Sequence, residues 1–310
     1  MAEPGGSRPD PAAAPPKPLN APVAAALTKA KANPLPGSIW DVVRQLGQGM
    51  LTVVSVGGGE PATSPTSLPG EFTPQAVLAL NSPKGPVLAA FTSSNVSSML
   101  PPDAVSAKRV NEQQVPAMEV AKLAGTTTYA GLALDPGTEH GMVIPAQFLN
   151  AGLAGGRANA PAKHLLNIAS TADEETRRNL LKALAAGPIF TPVEKASAAE
   201  GKETKFPLVP LGKNEADPDD TRMAVIFGTS PAEIAAAFPP EQWTPVPVRM
   251  HQVVETIRKN TPLDMVVVNP LGPTLQLPVT NVAPSVDPDE PTPEPGPSTE
   301  PDGGTREGED

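Results

Sequence analysis

The chain has 310 residues, with 42 prolines, no cysteine, 3% aromatics and a formal net charge of −10. The lack of cysteine removes disulfides, thiolate catalysis and cysteine-held metal sites together. Residues 281–310 carry nine acids against the single base Arg306, which leaves −2 on residues 1–280; so neutral a body, poor in aromatic platforms, excludes a nucleic acid as the main partner.

Prolines crowd residues 4–22 and 284–301. These stretches hold too few apolar side chains to offset the entropy of ordering them, so residues 1–22 and 283–310 are expected to be disordered tails. The opening MAEPGGSRPDPAAAPPKP has neither the basic nor the apolar region of a signal peptide, and no apolar run approaches the length of a membrane span. A cytoplasmic protein away from the membrane is expected.

Val23–Ala32 reads as a short helix. A second starts at Ser38, with Asp41 three residues on as in a capping box, and Ile39, Val42, Val43 and Leu46 form its apolar face. Gly47 and Gly49 end it, and the β-branched run Leu51–Val56 is a strand. Gly57–Glu71 is a patternless loop. Val77–Leu80 and Val87–Phe91 flank Ser82-Pro83-Lys84-Gly85, which suits a type I turn between antiparallel strands. A weaker helix at Ser94–Leu100, an extended Val105–Val110, a helix near Pro116–Ala124, a strand Tyr129–Leu134, an Asp135-Pro136-Gly137 turn and a returning Met142–Pro145 follow.

Asn150–Pro161 is a linker by composition. The order then restarts. Thr171 and Glu174 box the start of a helix striped by Leu180, Leu181, Leu184 and Ala185, and Pro188–Val193 takes the place of Leu51–Val56. After the charged loop Lys195–Lys205, Phe206–Leu211 is interrupted by Pro207 and Pro210 and so reads as an edge strand. Met223–Phe227 is a strand. Ser230, Pro231 and Glu233 agree on one helix start. Thr244–Arg249 is extended, and Met250, Val253, Val254 and Ile257 line one face of a helix. Val266–Val268 is apolar enough to be covered on both faces, and Asn269-Pro270-Leu271-Gly272 turns into Leu275–Leu277. Phe91 matches Phe227 and Asp135 matches Asn269, at intervals of 44 and 42 residues. A repeat of this length is a duplicated domain, not a solenoid. The fold expected is α/β (α+β): two tandem mixed-sheet domains of similar topology, 23–149 and 163–282, joined by a linker at 150–162.

The segments LLKALAAGPIFTPV, RMAVIFGTS, TPVPVRMHQVVETI and DMVVVNPLGPTLQLP resemble the SseB N-terminal domain family, and VLAAFTSS with YAGLALDPGTEHGMVIP carries a more divergent first copy. The resemblance implies the fold, in two copies, and implies no established enzymatic activity. In the first copy Arg109 lies farther from its helix than Arg249 does, and Asp135 stands where the second copy has Asn269.

Chemical motifs are sparse. His140, His164 and His251 lack companions at metal-ligand spacing. Gly57-Gly58-Gly59 has no phosphate-loop lysine after it, and Gly47-Gln48-Gly49 ends a helix where a dinucleotide fingerprint would open one. No metal, no nucleotide cofactor and no catalytic residue are expected. Four residues are candidates for binding: Arg249, as a carboxylate anchor or as the ion-pair partner of Glu255, with Asn269 and Asp135. Three functions remain open: a non-catalytic adaptor for a protein or peptide, an enzyme with a site of Asp, Glu, Arg and Asn at the junction of the domains, and a secretion or regulatory accessory protein. The halves are expected to pack as a pseudo-symmetric pair, with any ligand groove along their junction.

Overall fold

The computed structural model describes residues 17–34, 37–56, 77–100, 110–169, 174–196, 208–213, 221–259 and 263–279. Most of the expected tails, the loop Gly57–Glu71, nearly all of Val105–Val110 and the cap Thr171 lie outside the described residues.

The first unit runs β1 (Lys17–Pro18), α1 (Ala21–Ala32), α2 (Ser38–Gln45), β2 (Met50–Val56), β3 (Ala79–Ser82), β4 (Gly85–Phe91), β5 (Ser93–Ser94), a 3-10 turn (Val96–Met99), β6 (Val110–Pro116), α3 (Ala117–Ala124), β7 (Gly131–Leu134), β8 (Met142–Pro145) and α4 (Ala146–Gly152). The second runs α5 (Ala160–Ala169), α6 (Glu174–Ala186), β9 (Ile189–Glu194), β10 (Leu208–Lys213), β11 (Thr221–Phe227), α7 (Pro231–Ala237), β12 (Trp243–Val248), α8 (Met250–Lys259), β13 (Met265–Val268) and β14 (Leu275–Pro278).

The duplication is visible in the pairing. In the first unit β6 pairs with β2, β2 with β4, and β3 with β4, all antiparallel; β4 runs parallel to β7, and β7 antiparallel to β8. The second unit repeats this with β12 on β9, β10 on β11, β11 parallel to β13, and β13 antiparallel to β14. The contact matching β2–β4 shrinks there to one bridge, Phe190 with Gly228, so β9 and β12 form a separate ribbon. The fold is α/β with mixed sheets, as expected.

Alternation along β11 explains why its apolar run is unbroken. Val225 and Phe227 join the core beneath α5, α6 and α8, while Ala224 and Ile226 join Phe190, Ile234 and Val267 on the opposite face, under α7. Helix α3 buries the stripe Ala117, Val120, Ala121 and Ala124, and α6 buries Leu180 and Leu184 while Leu181 and Ala185 are half-buried.

Four expectations change in detail. Residues 17–22, assigned to the tail, are ordered: Lys17 and Pro18 pair with Ser94 and Ser93, and Asn20 caps α1. Residues 150–161, a linker by composition, hold the end of α4, a 3-10 turn and the start of α5, with Leu153 and Asn159 buried. Glycine and alanine there serve close approach: a side chain at Gly152 would meet Trp40 and Ala232. The helix expected at Ser94–Leu100 is a single 3-10 turn. Finally, Asp135 N–H donates to the Ala90 carbonyl as Asn269 N–H donates to that of Phe227. The equivalent of Phe227 is therefore Ala90, not Phe91.

Candidate functional site at the junction of the two units

Each unit buries one polar node at the same place. In the first, Asn20 caps α1 by accepting from Val23 N–H at 3.3 Å, its amide donates to the Gln48 carbonyl at 3.0 Å, and its own N–H donates to the Thr92 carbonyl at 2.9 Å. Thr92 in turn donates its N–H and hydroxyl to the Asp135 carboxylate at 2.7 and 2.6 Å. In the second, Asn159 accepts from Ala162 N–H at 3.1 Å and donates to the Ala183 carbonyl at 2.8 Å, and its N–H reaches the Thr229 carbonyl at 2.8 Å. Thr229 N–H donates to Asn269 Oδ1 at 2.9 Å, and the Asn269 amide donates to the Thr229 hydroxyl at 3.1 Å. Asp135 and Asn269 both have positive φ, 45° and 54°, which short polar side chains tolerate. Each node ties the first helix of its unit to the loop after the central strand and to the turn after the parallel strand.

A second polar group lies between the units and has no internal copy. Helix α7 of the second unit packs against α2 and α4 of the first, and Ala232 joins the first unit's core. Along this seam Arg44 on α2 pairs with Asp41 one turn back at 2.6 Å, donates to the Gly272 carbonyl at 2.6 Å, and stands 3.6 Å from Glu233 Oε2. Lys163 on α5 donates to Glu233 Oε1. Glu233 is 0% exposed, Lys163 2% and Arg44 7%. Burial lowers the Lys163 pKa from its ordinary value, with the Glu233 carboxylate pulling the other way. Among the described residues Glu233 Oε2 has no hydrogen bond, so Arg44 serves it through charge.

The seam departs from the expected symmetry. A two-fold would also bring α6 against the 3-10 turn Val96–Met99, and no comparable packing forms there. The junction leaves little room. Arg44, Gly47, Met118, Asn159, Lys163 and Thr229 border a cavity of about 10 Å3, which is room for one water molecule at most.

The four residues picked from sequence do not form one site. Asp135 and Asn269 are the buried partners of Thr92 and Thr229 in separate units. Arg249 is exposed ahead of α8, where its N–H donates to Gln252 Oε1 at 2.9 Å and its guanidinium donates to the Ala186 carbonyl at 3.4 Å. Glu255 is exposed on α8. Sequence reasoning missed Arg44, Lys163 and Glu233. In sequence Glu233 reads as a helix-start residue, and its N–H donates to the Ser230 hydroxyl at 3.4 Å, but its carboxylate turns to Lys163 instead of back to the cap. Among the described residues no three His, Asp or Glu side chains gather as a metal site requires, and no helix is long and apolar enough to cross a membrane.

The architecture defines a tandem pair of one small α/β domain type. The model of the SseB protein N-terminal domain matches residues 23–151 and again residues 162–283, and the chain belongs to that family. Both matches start three residues after a node asparagine, Asn20 and Asn159. No curated protein and no solved structure matches the chain.

Proposed function

We propose that the protein is a cytoplasmic, non-catalytic binding scaffold for a protein or peptide, with domains at 23–149 and 163–282 held as one block. The observation that carries this reading is how little space the junction leaves beside its buried charges. An enzyme needs convergent titratable groups and space for a substrate. Asp41, Arg44, Lys163 and Glu233 do converge, yet the space beside them is about 10 Å3. Charges so enclosed fix one docked arrangement of the units. Arg249 and Glu255, on the surface, are the two of the four candidates that a macromolecular partner can reach.

The test has two arms. Purified protein is incubated with a metabolite extract followed by mass spectrometry; a metabolite consumed by the native chain and spared by Glu233→Gln would overturn the reading. Cross-linking in the native cell is then compared between the native chain and Arg249→Glu with Glu255→Lys. A stoichiometric protein adduct weakened by those changes, at unaltered melting temperature, is the expected outcome.

A further inference from the structure

The two units end their sheets differently. Strands β6 and β12 are equivalent, and among the described residues each pairs on one side only, β6 with β2 and β12 with β9. Ala117 N–H donates to Gly49 and Lys195 N–H to Gln242, each at 2.9 Å, and these bonds fix the ladder's phase. Bonding alternates along an antiparallel pair. Asn111, Gln113 and Val115 therefore bond inward to β2, while Val110, Glu112 and Gln114 turn their N–H and carbonyl groups outward. In β12 the outward positions matching Glu112 and Gln114 are Pro245 and Pro247. Proline has no N–H to offer, so that edge is closed to a further strand.

The edge of β6 has a proline only at its end, Pro116, and Val110, Glu112 and Gln114 keep their N–H groups. Among the described residues no strand pairs with it, and Asn111, Gln113 and Gln114 are exposed and uncharged. The carboxylate of Glu112 is occupied by the N–H groups of Asn95 and Val96, at 2.9 and 2.8 Å. We propose that two copies of the chain pair through this edge, β6 against β6, antiparallel about a two-fold axis at Gln113.

The chain's own β6 complements this edge in one register. With Gln113 on the axis, Glu112 faces Gln114 of the second copy and the two exchange both backbone bonds. The N–H of Val110 meets the carbonyl of Pro116 of the second copy, where proline's missing donor costs one bond per end. The two Gln113 amides lie face to face and can bond each other. Centring on Glu112 would oppose two carboxylates, and centring on Gln114 would run Val110 against α3. An isologous contact of this kind closes at two chains and leaves no free edge to propagate.

The absence of native cysteine makes the test direct. Gln113→Cys places one thiol per chain on the axis, in a pair whose Cβ atoms lie about 4.5–5.5 Å apart, near enough for a disulfide after small adjustment. The full native chain should sediment as a dimer at micromolar concentration, and Gln113→Cys should cross-link on mild oxidation. Gln114→Pro, which copies Pro247, should give a monomer with unchanged melting temperature. If Gln114→Pro does not fold, Gln113→Lys, which sets like charges opposite each other, should give the monomer instead. A native chain that stays monomeric, a dimer that survives the folded variant, or a Gln113→Cys chain that does not cross-link overturns the proposal.

Discussion

Glu233 concentrates the risk at the level of single residues. Removing one member of a buried ion pair strands the other charge and costs about 3–5 kcal/mol, whereas replacing both with apolar groups is often neutral or stabilising. Glu233→Ala is therefore expected to destabilise by about that amount, and Lys163→Met with Glu233→Leu to recover most of it, in a denaturant double-mutant cycle. The titration of Lys163 carries a sign of its own. Burial lowers its folded pKa below the ordinary 10.5, so the unfolded chain holds more protons between the two values. Through that window its contribution to stability rises with pH, and it is lost as pH falls through the folded value. Lys163→Met should flatten that slope in the range just below pH 10.5. The two nodes differ in the same way. Asp135 receives two donors from Thr92, while Asn269 must also donate. Asn269→Asp removes a donor and buries a charge, so it should cost more than Asp135→Asn by urea titration.

At the level of elements, the glycine before the central antiparallel pair is a shared requirement. A Cβ at Gly49 would sit 2.6 Å from the Asn20 amide, and one at Gly187 would strike Asn159 in the same manner. Gly49 also has φ of 72°. Alanine at either position should displace the asparagine and cost about 1–3 kcal/mol for the buried groups left unpaired, read as matching losses in melting experiments on each variant. The sequence carries a trace of this node, since Asn-Ala-Pro occurs at Asn20–Pro22 and again at Asn159–Pro161. Composition hid both copies, one against a proline-rich tail and one in a glycine-alanine run taken for a linker. Element order was legible because periodicity and caps are local. Register was not: matching Phe91 to Phe227 follows an aromatic landmark, and a one-residue slip moves a side chain to the other face of a sheet. Phe91 lies with Val54 and Val96, while Phe227 lies in the core with Leu180 and Val266. The site was hidden for a related reason. Glu233 meets Lys163 across 70 residues and Arg44 across the seam, distances at which spacing carries no signal.

For the whole molecule, the seam decides whether the chain is one cooperative body or two. Helix α7 packs on its own sheet through Ile234 and also covers α2 and α4, and Ala232 is fully buried in the first unit's core beside Gly152 and Val43. Arg44, from the first unit, spends its guanidinium on the Gly272 carbonyl and the Glu233 carboxylate of the second. Separating the units would expose apolar surface on both sides and strip Arg44 of the Gly272 carbonyl and the Glu233 carboxylate, so neither unit has a cheap route to open alone. Contacts between domains of one chain are more often small and polar, and independent motion is then the default. The apolar packing of α7 argues against that default here. Calorimetry of the full chain should give one transition whose calorimetric and van't Hoff enthalpies agree. Ala232→Arg puts a long cation where no side chain fits, lifts α7 from α2 without touching either sheet, and should split that transition in two. If the native chain already melts in two steps, the seam carries no coupling, and the ion cluster is an ornament on two independent domains.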